Sequence, residues 1–277
     1  MAYLNPLRSL GSFPSQSGKP MPVLFIGHGS PINGIENNEF SQSWMKLGRE
    51  IPTQQAVLCV SAHWLTHGTF ITAMSAPKTI HDFGGFPKEL YAVQYPAPGD
   101  PQLAKETAAM IKATNAGLNH DWGLDHGTWT VVRHMFPDAN IPVLQLSIDY
   151  DQPADFHYRL GKELAELRKK GVLIIGSGNM VHNLRMIAWD KLDEPGYGYD
   201  WAIEMNELLK KNILSAKHQP LIDYKTLGAE ALKAIPTPDH YYPLLYTLGL
   251  QSNNDDIEIF NDKAQGGSLT MTSVKIG

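Results

Sequence analysis

Val23-Leu24-Phe25-Ile26-Gly27-His28-Gly29-Ser30-Pro31 joins four consecutive apolar residues to a glycine-rich turn that carries a histidine. A half-exposed strand alternates apolar and polar positions, whereas an unbroken apolar run marks a strand buried on both faces. The pattern recurs at 56–61, 143–147 and 172–175. Strands covered on both faces need helices above and below the sheet, and helix-like segments lie at 36–50, 102–113, 153–170, 199–214 and 224–235. The alternation predicts an α/β fold, one domain with a mostly parallel central sheet flanked by helices. Segment 153–170 carries the strongest helix signals, with Pro153 and Asp155 at its start and Arg168, Lys169 and Lys170 before Gly171 at its end. The alternating tails 256–260 and 268–274, separated by Lys263-Ala264-Gln265-Gly266-Gly267, predict a C-terminal β-hairpin at a sheet edge.

With 277 residues, 43% hydrophobic and 18% charged, the chain is long enough to bury a substantial core. We expect one domain over 21–277, preceded by a flexible Gly/Ser/Pro-containing lead-in at 1–20. That lead-in lacks the basic and continuous apolar parts of a secretory signal. The net charge of −5 supplies no basic stripe for a phosphate backbone, which argues against a nucleic-acid partner. No apolar run approaches the roughly eighteen residues that cross a bilayer, so no membrane association is expected. Cys59, the single cysteine, lies within an apolar run, which excludes an intrachain disulfide and suggests a buried, inert thiol in a reducing, cytoplasmic setting. Segment 76–101 is rich in Gly and Pro and longer than an ordinary connection, as expected of a functional loop that walls or lids a pocket.

Five histidines, His28, His63, His126, His182 and His240, sit where apolar runs end or beside glycine, proline or aspartate. Neutral imidazole is a common transition-metal ligand, and a site needs three or four ligands converging from separate parts of a fold. Ligands bind beyond the carboxyl ends of the strands in open α/β sheets, so His28 and His63, each placed after a strand, are candidates for one centre. Before His182, Gly176-Ser177-Gly178-Asn179 has a second reading as a phosphate cradle, but it lacks the lysine of a P-loop and the spacing of a nucleophile elbow. His240 lies between prolines that restrict the backbone, although Asp239 also suits a helix N-terminus. His126, read as a loop residue beside Asp125, suits charge stabilisation or proton transfer. His67, His81, His120, His134, His157 and His218 lack this placement and are assigned structural or solvent roles, His81 least firmly because it opens HDFGGF.

The blocks IGHGSP, SAHW, IHDFGGFP, YPAPGDP, LDHGTW, GSGNMVHNLR and TPDHYYPL, in this order from about Pro22 to the C-terminus, resemble the class III (LigB-type) extradiol ring-cleavage dioxygenases, most closely their DOPA 4,5-dioxygenase branch. The resemblance implies a non-haem Fe(II) enzyme that binds a catechol with O2 and opens the ring beside the two hydroxyls. It further implies that His28, His63 and His240 are the metal ligands, with His182 the catalytic histidine and possible fourth ligand, and His126 a second active-site histidine.

Three neutral imidazoles leave the +2 charge of a metal uncompensated, a deficit a catecholate would fill. His182 is then placed to accept and return a proton, and His126 to steady an anionic oxygen. The same donors suit Zn(II), so zinc is plausible as the bound metal, but zinc has no redox chemistry. Two alternatives stay open, a zinc-dependent hydrolase and a non-enzymatic metal-binding protein on the same fold. The physiological catechol, 4,5 against 2,3 cleavage and the oligomeric state are not legible in the sequence.

Overall fold

The computed structural model describes residues 19–192 and 194–277. The lead-in expected at 1–20 therefore lies outside the described residues except for exposed Lys19 and Pro20. An eight-stranded sheet carries the fold. Its strands are β1 (Val23–Gly27), β2 (Ala56–Thr66), β3 (Phe70–Thr72), β4 (Gly117–Asn119), β5 (Val143–Asp149), β6 (Val172–Gly178), β7 (Ile257–Phe260) and, after a separate two-stranded ribbon of β8 (Ala264–Gln265) and β9 (Leu269–Thr270), β10 (Ser273–Ile276). The order across the sheet is β4-β3-β5-β2-β6-β1-β10-β7. The inner four strands, β5, β2, β6 and β1, are all parallel, while β3 joins β5 and β10 joins β1 antiparallel.

The four apolar runs form this parallel centre, and their successive side chains divide between two cores, as a period of two requires. Val23, Phe25, Leu58, Val60, Leu144, Leu146, Val172 and Ile174 face one core. Leu24, Ile26, Val57, Cys59, Val143, Leu173 and Ile175 face the other. The first core is covered by α3 (Pro101–Met110), α5 (Ala154–Glu163), α6 (Ala165–Lys169), α7 (Asp200–Leu214), α8 (His218–Ile222), α9 (Ala229–Ala234) and α10 (Tyr242–Gly249). The second is covered by α1 (Glu39–Glu50), α4 (His126–Met135) and the loop holding α2 (Lys88–Tyr91).

The structure changes several expected elements. Helix α1 begins three residues late because Asn38 forms a capping box with Ser41. The segment expected as one helix at 153–170 is two, α5 and α6, separated at Leu164. Gly228, at φ 112°, splits the expected 224–235 helix into a 3-10 turn at Tyr224–Thr226 and α9. The C-terminal hairpin pairs Ile257–Phe260 with Ser273–Ile276, with Ser273 opposite Phe260, so its second strand starts later than 268. Residues 264–270 form the small ribbon instead.

Strand β2 also runs five residues past its expected end, and its register against β5 slips between Val60 and Leu65. Such an irregularity re-aims the side chains it contains, here including His63. At the end of β6, glycine is required by close packing. A Cβ on Gly176 would lie 2.4 Å from the Pro243 carbonyl oxygen, and one on Gly178 would lie 2.1 Å from that of His240. The Gly-Ser-Gly sequence thus lets the chain around His240 lie directly on the strand, and Asn179 N–H donates to the same His240 carbonyl at 2.9 Å.

Candidate metal centre

Strands β1, β6 and β2 are parallel neighbours with Gly27 opposite Gly178 and Ser61 opposite Ser177, so the chain leaves all three at one edge of the sheet. This is the carboxyl edge where open α/β sheets bind ligands. His28 leaves β1 there, His63 lies in the irregular part of β2, and His182 comes after β6. Helix α4 contributes His126 at its first position, with Asp125 as N-cap, which corrects the reading of His126 as a loop residue. His240 precedes α10 on the glycine-lined surface of β6.

The five histidines form one cluster. Ring centroids are 5.1 Å apart for His28 and His63, 5.4 Å for His28 and His240, and 5.0 Å for His63 and His240. The His126 ring is 3.8 Å from that of His63, and His182 stacks on His240 at 3.5 Å with planes 6° apart. One nitrogen from each of His28, His63 and His240 lies within 4.8 Å of the others. His63, Asp82 and His126 form a second such group, and His182, Asp239 and His240 a third.

Partners on Nδ1 decide which nitrogens are available. His28 Nδ1 contacts Ser177 Oγ at 3.0 Å, and His240 Nδ1 contacts the Asp239 carboxylate. Asp82 Oδ2 lies 3.5 Å from His63 Nδ1 and 3.0 Å from His126 Nδ1, while its Oδ1 accepts the His126 backbone N–H at 2.9 Å. A ring that gives its Nδ1 proton to an acceptor keeps a bare Nε2 as ligand atom, the usual arrangement around metals. His28 Nε2 and His63 Nε2 face each other at 3.1 Å. Two bare lone pairs at that distance repel unless a cation lies between them. Metal–nitrogen bonds of about 2.0–2.1 Å meeting at angles between square and tetrahedral place two donors roughly 2.8–3.4 Å apart. The donor set fits a transition-metal ion.

Electrostatics favours neutral imidazoles at His28, His63 and His182. Burial, followed by repulsion from neighbouring histidines, pushes the pKa of His28 and of His63 well below the ordinary value. Burial and His240 do the same to His182, against a smaller opposing pull from Asp239. Burial raises the Asp82 carboxyl, but the hydrogen bonds and charge of His126 outweigh it and hold Asp82 below its usual range. Beneath the cluster, Asp125 is fully buried and raised by that burial. It accepts from Ser61 Oγ at 2.7 Å and Gln145 Nε2 at 2.6 Å, and Ser61 Oγ in turn accepts the His63 backbone N–H at 3.2 Å.

Asp82, Ser177 and Asp239 are the residues that sequence reasoning missed. Asp82 lies in the 76–101 loop singled out for its length, so that loop marked the region but not the residue. The loop is pinned to the body: Trp129 Nε1–H donates to the Ile80 carbonyl at 2.8 Å, and Phe83 packs edge-on against His126 at 5.6 Å. Five further histidines find their partners outside the cluster. His81 contacts the Val93 carbonyl, His134 that of Asn33, His157 the Tyr246 hydroxyl, His218 Tyr158 and Gln251, and exposed His67 Asp151. Cys59 is buried, and burial pushes its thiol pKa far up, as expected of an inert cysteine.

The family described as the catalytic LigB subunit of aromatic ring-opening dioxygenase matches residues 22–274, which include all five histidines, and the chain belongs to this class of proteins. The chain is 46% identical over 265 residues to the 4,5-DOPA dioxygenase extradiol of Escherichia coli (strain K12), covering 94% of this chain and 96% of the relative. It is 32% identical over 267 residues to the 4,5-DOPA dioxygenase extradiol of Beta vulgaris, covering 91% and 95%. The crystal structure of an uncharacterized protein from Escherichia coli K12 superposes with a TM-score of 0.80 at 41% identity, covering 93% of this chain and all of that one. Among the described residues no helix is long and apolar enough to cross a membrane.

Proposed function

We propose that the protein is an extradiol dioxygenase that opens a catechol ring with O2 at Fe(II) held by His28, His63 and His240. The observation that carries this reading is the convergence of the three imidazoles, each with an acceptor at or near Nδ1 and two Nε2 atoms facing each other at 3.1 Å. When bound, Fe(II) would bring catecholate and O2 together and let electrons pass between them, so that both oxygen atoms enter the product as one ring C–C bond breaks.

The chain's own residues handle protons and position. His182, kept neutral by burial, accepts a proton from a catechol hydroxyl and later returns it. His126, fixed through ring and backbone by Asp82, contacts the anionic oxygen of the substrate side. Both stand beside proposed ligands, so proton transfer needs no large movement. The names of the relatives make DOPA the first catechol to test, and the lone buried Cys59 accords with a reducing, cytoplasmic setting.

The test is anaerobic loading with Fe(II), then O2 uptake with a catechol panel while the coloured ring-fission product is monitored. Iron-loaded protein should consume one O2 per ring opened, and zinc-loaded protein should be inactive. His182→Ala should keep its metal and lose turnover, whereas removing His28, His63 or His240 should release metal. Equal turnover with zinc, or hydrolysis without O2 uptake, would sink the proposal and favour a zinc hydrolase.

A further inference from the structure

Ser177 sits fully buried at the end of β6 and has a single hydroxyl proton. That proton goes to the Gly127 carbonyl, to which Ser177 Oγ donates. The oxygen can then only accept at its other contact, so the 3.0 Å separation from His28 Nδ1 requires the proton to sit on the ring nitrogen. The carbonyl that sets this direction is held closely. Gly127 lies in the first turn of α4, where a Cβ would come within 2.5 Å of Ser61 Oγ and 2.8 Å of His63 Cδ2. The His28 backbone is anchored as well, its N–H donating to the Gly178 carbonyl at 3.1 Å and its carbonyl accepting from Asn33 Nδ2 at 3.0 Å. Little remains free at His28 except the placement of one proton.

That placement matters because His28 Nε2 and His63 Nε2 are 3.1 Å apart, an ordinary hydrogen-bond separation. With its proton on Nε2, His28 would donate to His63, and the two atoms that face each other across the candidate metal position would be tied up together. We infer that Ser177 is a positioning residue that holds His28 in its Nδ1–H tautomer, so that His28 cannot donate from Nε2 to His63 and presents a bare Nε2 as a ligand atom. The inference rests on His28 and His63 being metal ligands. Without the Ser177 oxygen, the Nδ1 proton would be a buried donor with no acceptor, and moving it to Nε2 would supply a waiting one in His63.

Ser177→Ala tests this without turnover. In metal-free protein carrying 15N-labelled histidine, the wild-type His28 resonances should report a protonated Nδ1 and a bare Nε2, and Ser177→Ala should reverse them. Titration with Zn(II) and with Co(II) should show affinity falling about 10- to 100-fold in Ser177→Ala, the usual cost of losing an outer-shell partner. Ser177→Cys, a close replacement with a weak donor and acceptor, should fall between the two, and it carries the same measurements if Ser177→Ala does not fold. An unchanged His28 tautomer, or metal affinity within twofold of wild type, would overturn the inference. Absence of ring opening by wild-type protein would instead remove the proposed activity and leave the tautomer result standing.

Discussion

Replacing Asp82 with asparagine changes one atom and reverses the hydrogen-bond logic at His126. The carboxylate accepts twice from that residue, at 2.9 Å from the backbone N–H and at 3.0 Å from Nδ1. An amide has one accepting oxygen, and the backbone N–H has no alternative form, so the oxygen should stay with the backbone. The amide nitrogen must then face His126 Nδ1, which is satisfied only if His126 moves its proton to Nε2. Hydrogen bonds to a charged group contribute about 1.5–3 kcal/mol and neutral ones about 0.5–1.5. Two such downgrades at a largely buried carboxylate should cost about 2 kcal/mol, or roughly 4–8 °C in Tm for a chain of this size. Loss of the fixed His126 tautomer should lower kcat/KM by about 10- to 100-fold. Metal content should fall less, because the Asp82 contact to His63 is longer, at 3.5 Å. The assays are thermal unfolding, metal analysis after dialysis and O2 uptake by iron-loaded protein. A Tm within 1 °C of wild type together with kcat/KM within twofold would refute the reasoning.

Gly178→Ala should push the His240 backbone away by about 1 Å, since the new Cβ would otherwise sit 2.1 Å from its carbonyl oxygen. Overpacking of this kind costs about 1–3 kcal/mol, and metal affinity should drop more than tenfold, whereas Gly84→Ala, with nothing within 4 Å, should leave both near wild type. Equal metal titrations for the two variants would contradict this. His157 provides a pH prediction away from the centre: burial lowers its pKa to about 4, below the roughly 6.5 of an unfolded chain. As pH falls the unfolded state takes the proton first, so the His157 contribution is complete above about 6.5 and is lost progressively down to about 4, a change of about 3 kcal/mol. Denaturant titrations should therefore show the stability gap between wild type and His157→Gln shrinking by about that amount from pH 7 to pH 4. A gap that stays constant would show that burial does not hold His157 neutral.

Legibility tracked burial. The four inner strands could be read because a strand covered on both faces shows nothing but apolar residues. The extension of β2 through His63 could not, because side chains lining a site break that pattern. Strands β3 and β4, at three residues each, are too short to display a period. Helix α4 is rich in β-branched residues, so helix propensity does not reveal it. The break at Leu164 has no proline to announce it; Gly161 nearby serves close packing, as a Cβ there would meet the Tyr246 backbone at 2.3 Å. The histidines could be picked out because few residue types bind metals. Their partners could not, since a serine between glycines or an aspartate in a long loop has many ordinary uses, and only the folded chain tells which one applies.

The pairing of β10 with β1 has a consequence for how the protein comes into being. Residues 273–276 lie beside Val23–Gly27, the Gly27 N–H donates to Ser273 Oγ at 3.0 Å, and the Met271 carbonyl packs 2.5 Å from where a Gly27 Cβ would stand. The strand that delivers His28 is therefore bordered by residues some 250 positions further along the chain, and His240 comes more than two hundred residues after His28. During synthesis the earlier histidines must wait, exposed, for their neighbours, and loop closure over that separation makes the final docking slow. The cluster should therefore take its final shape only once β10 has been made and has docked beside β1.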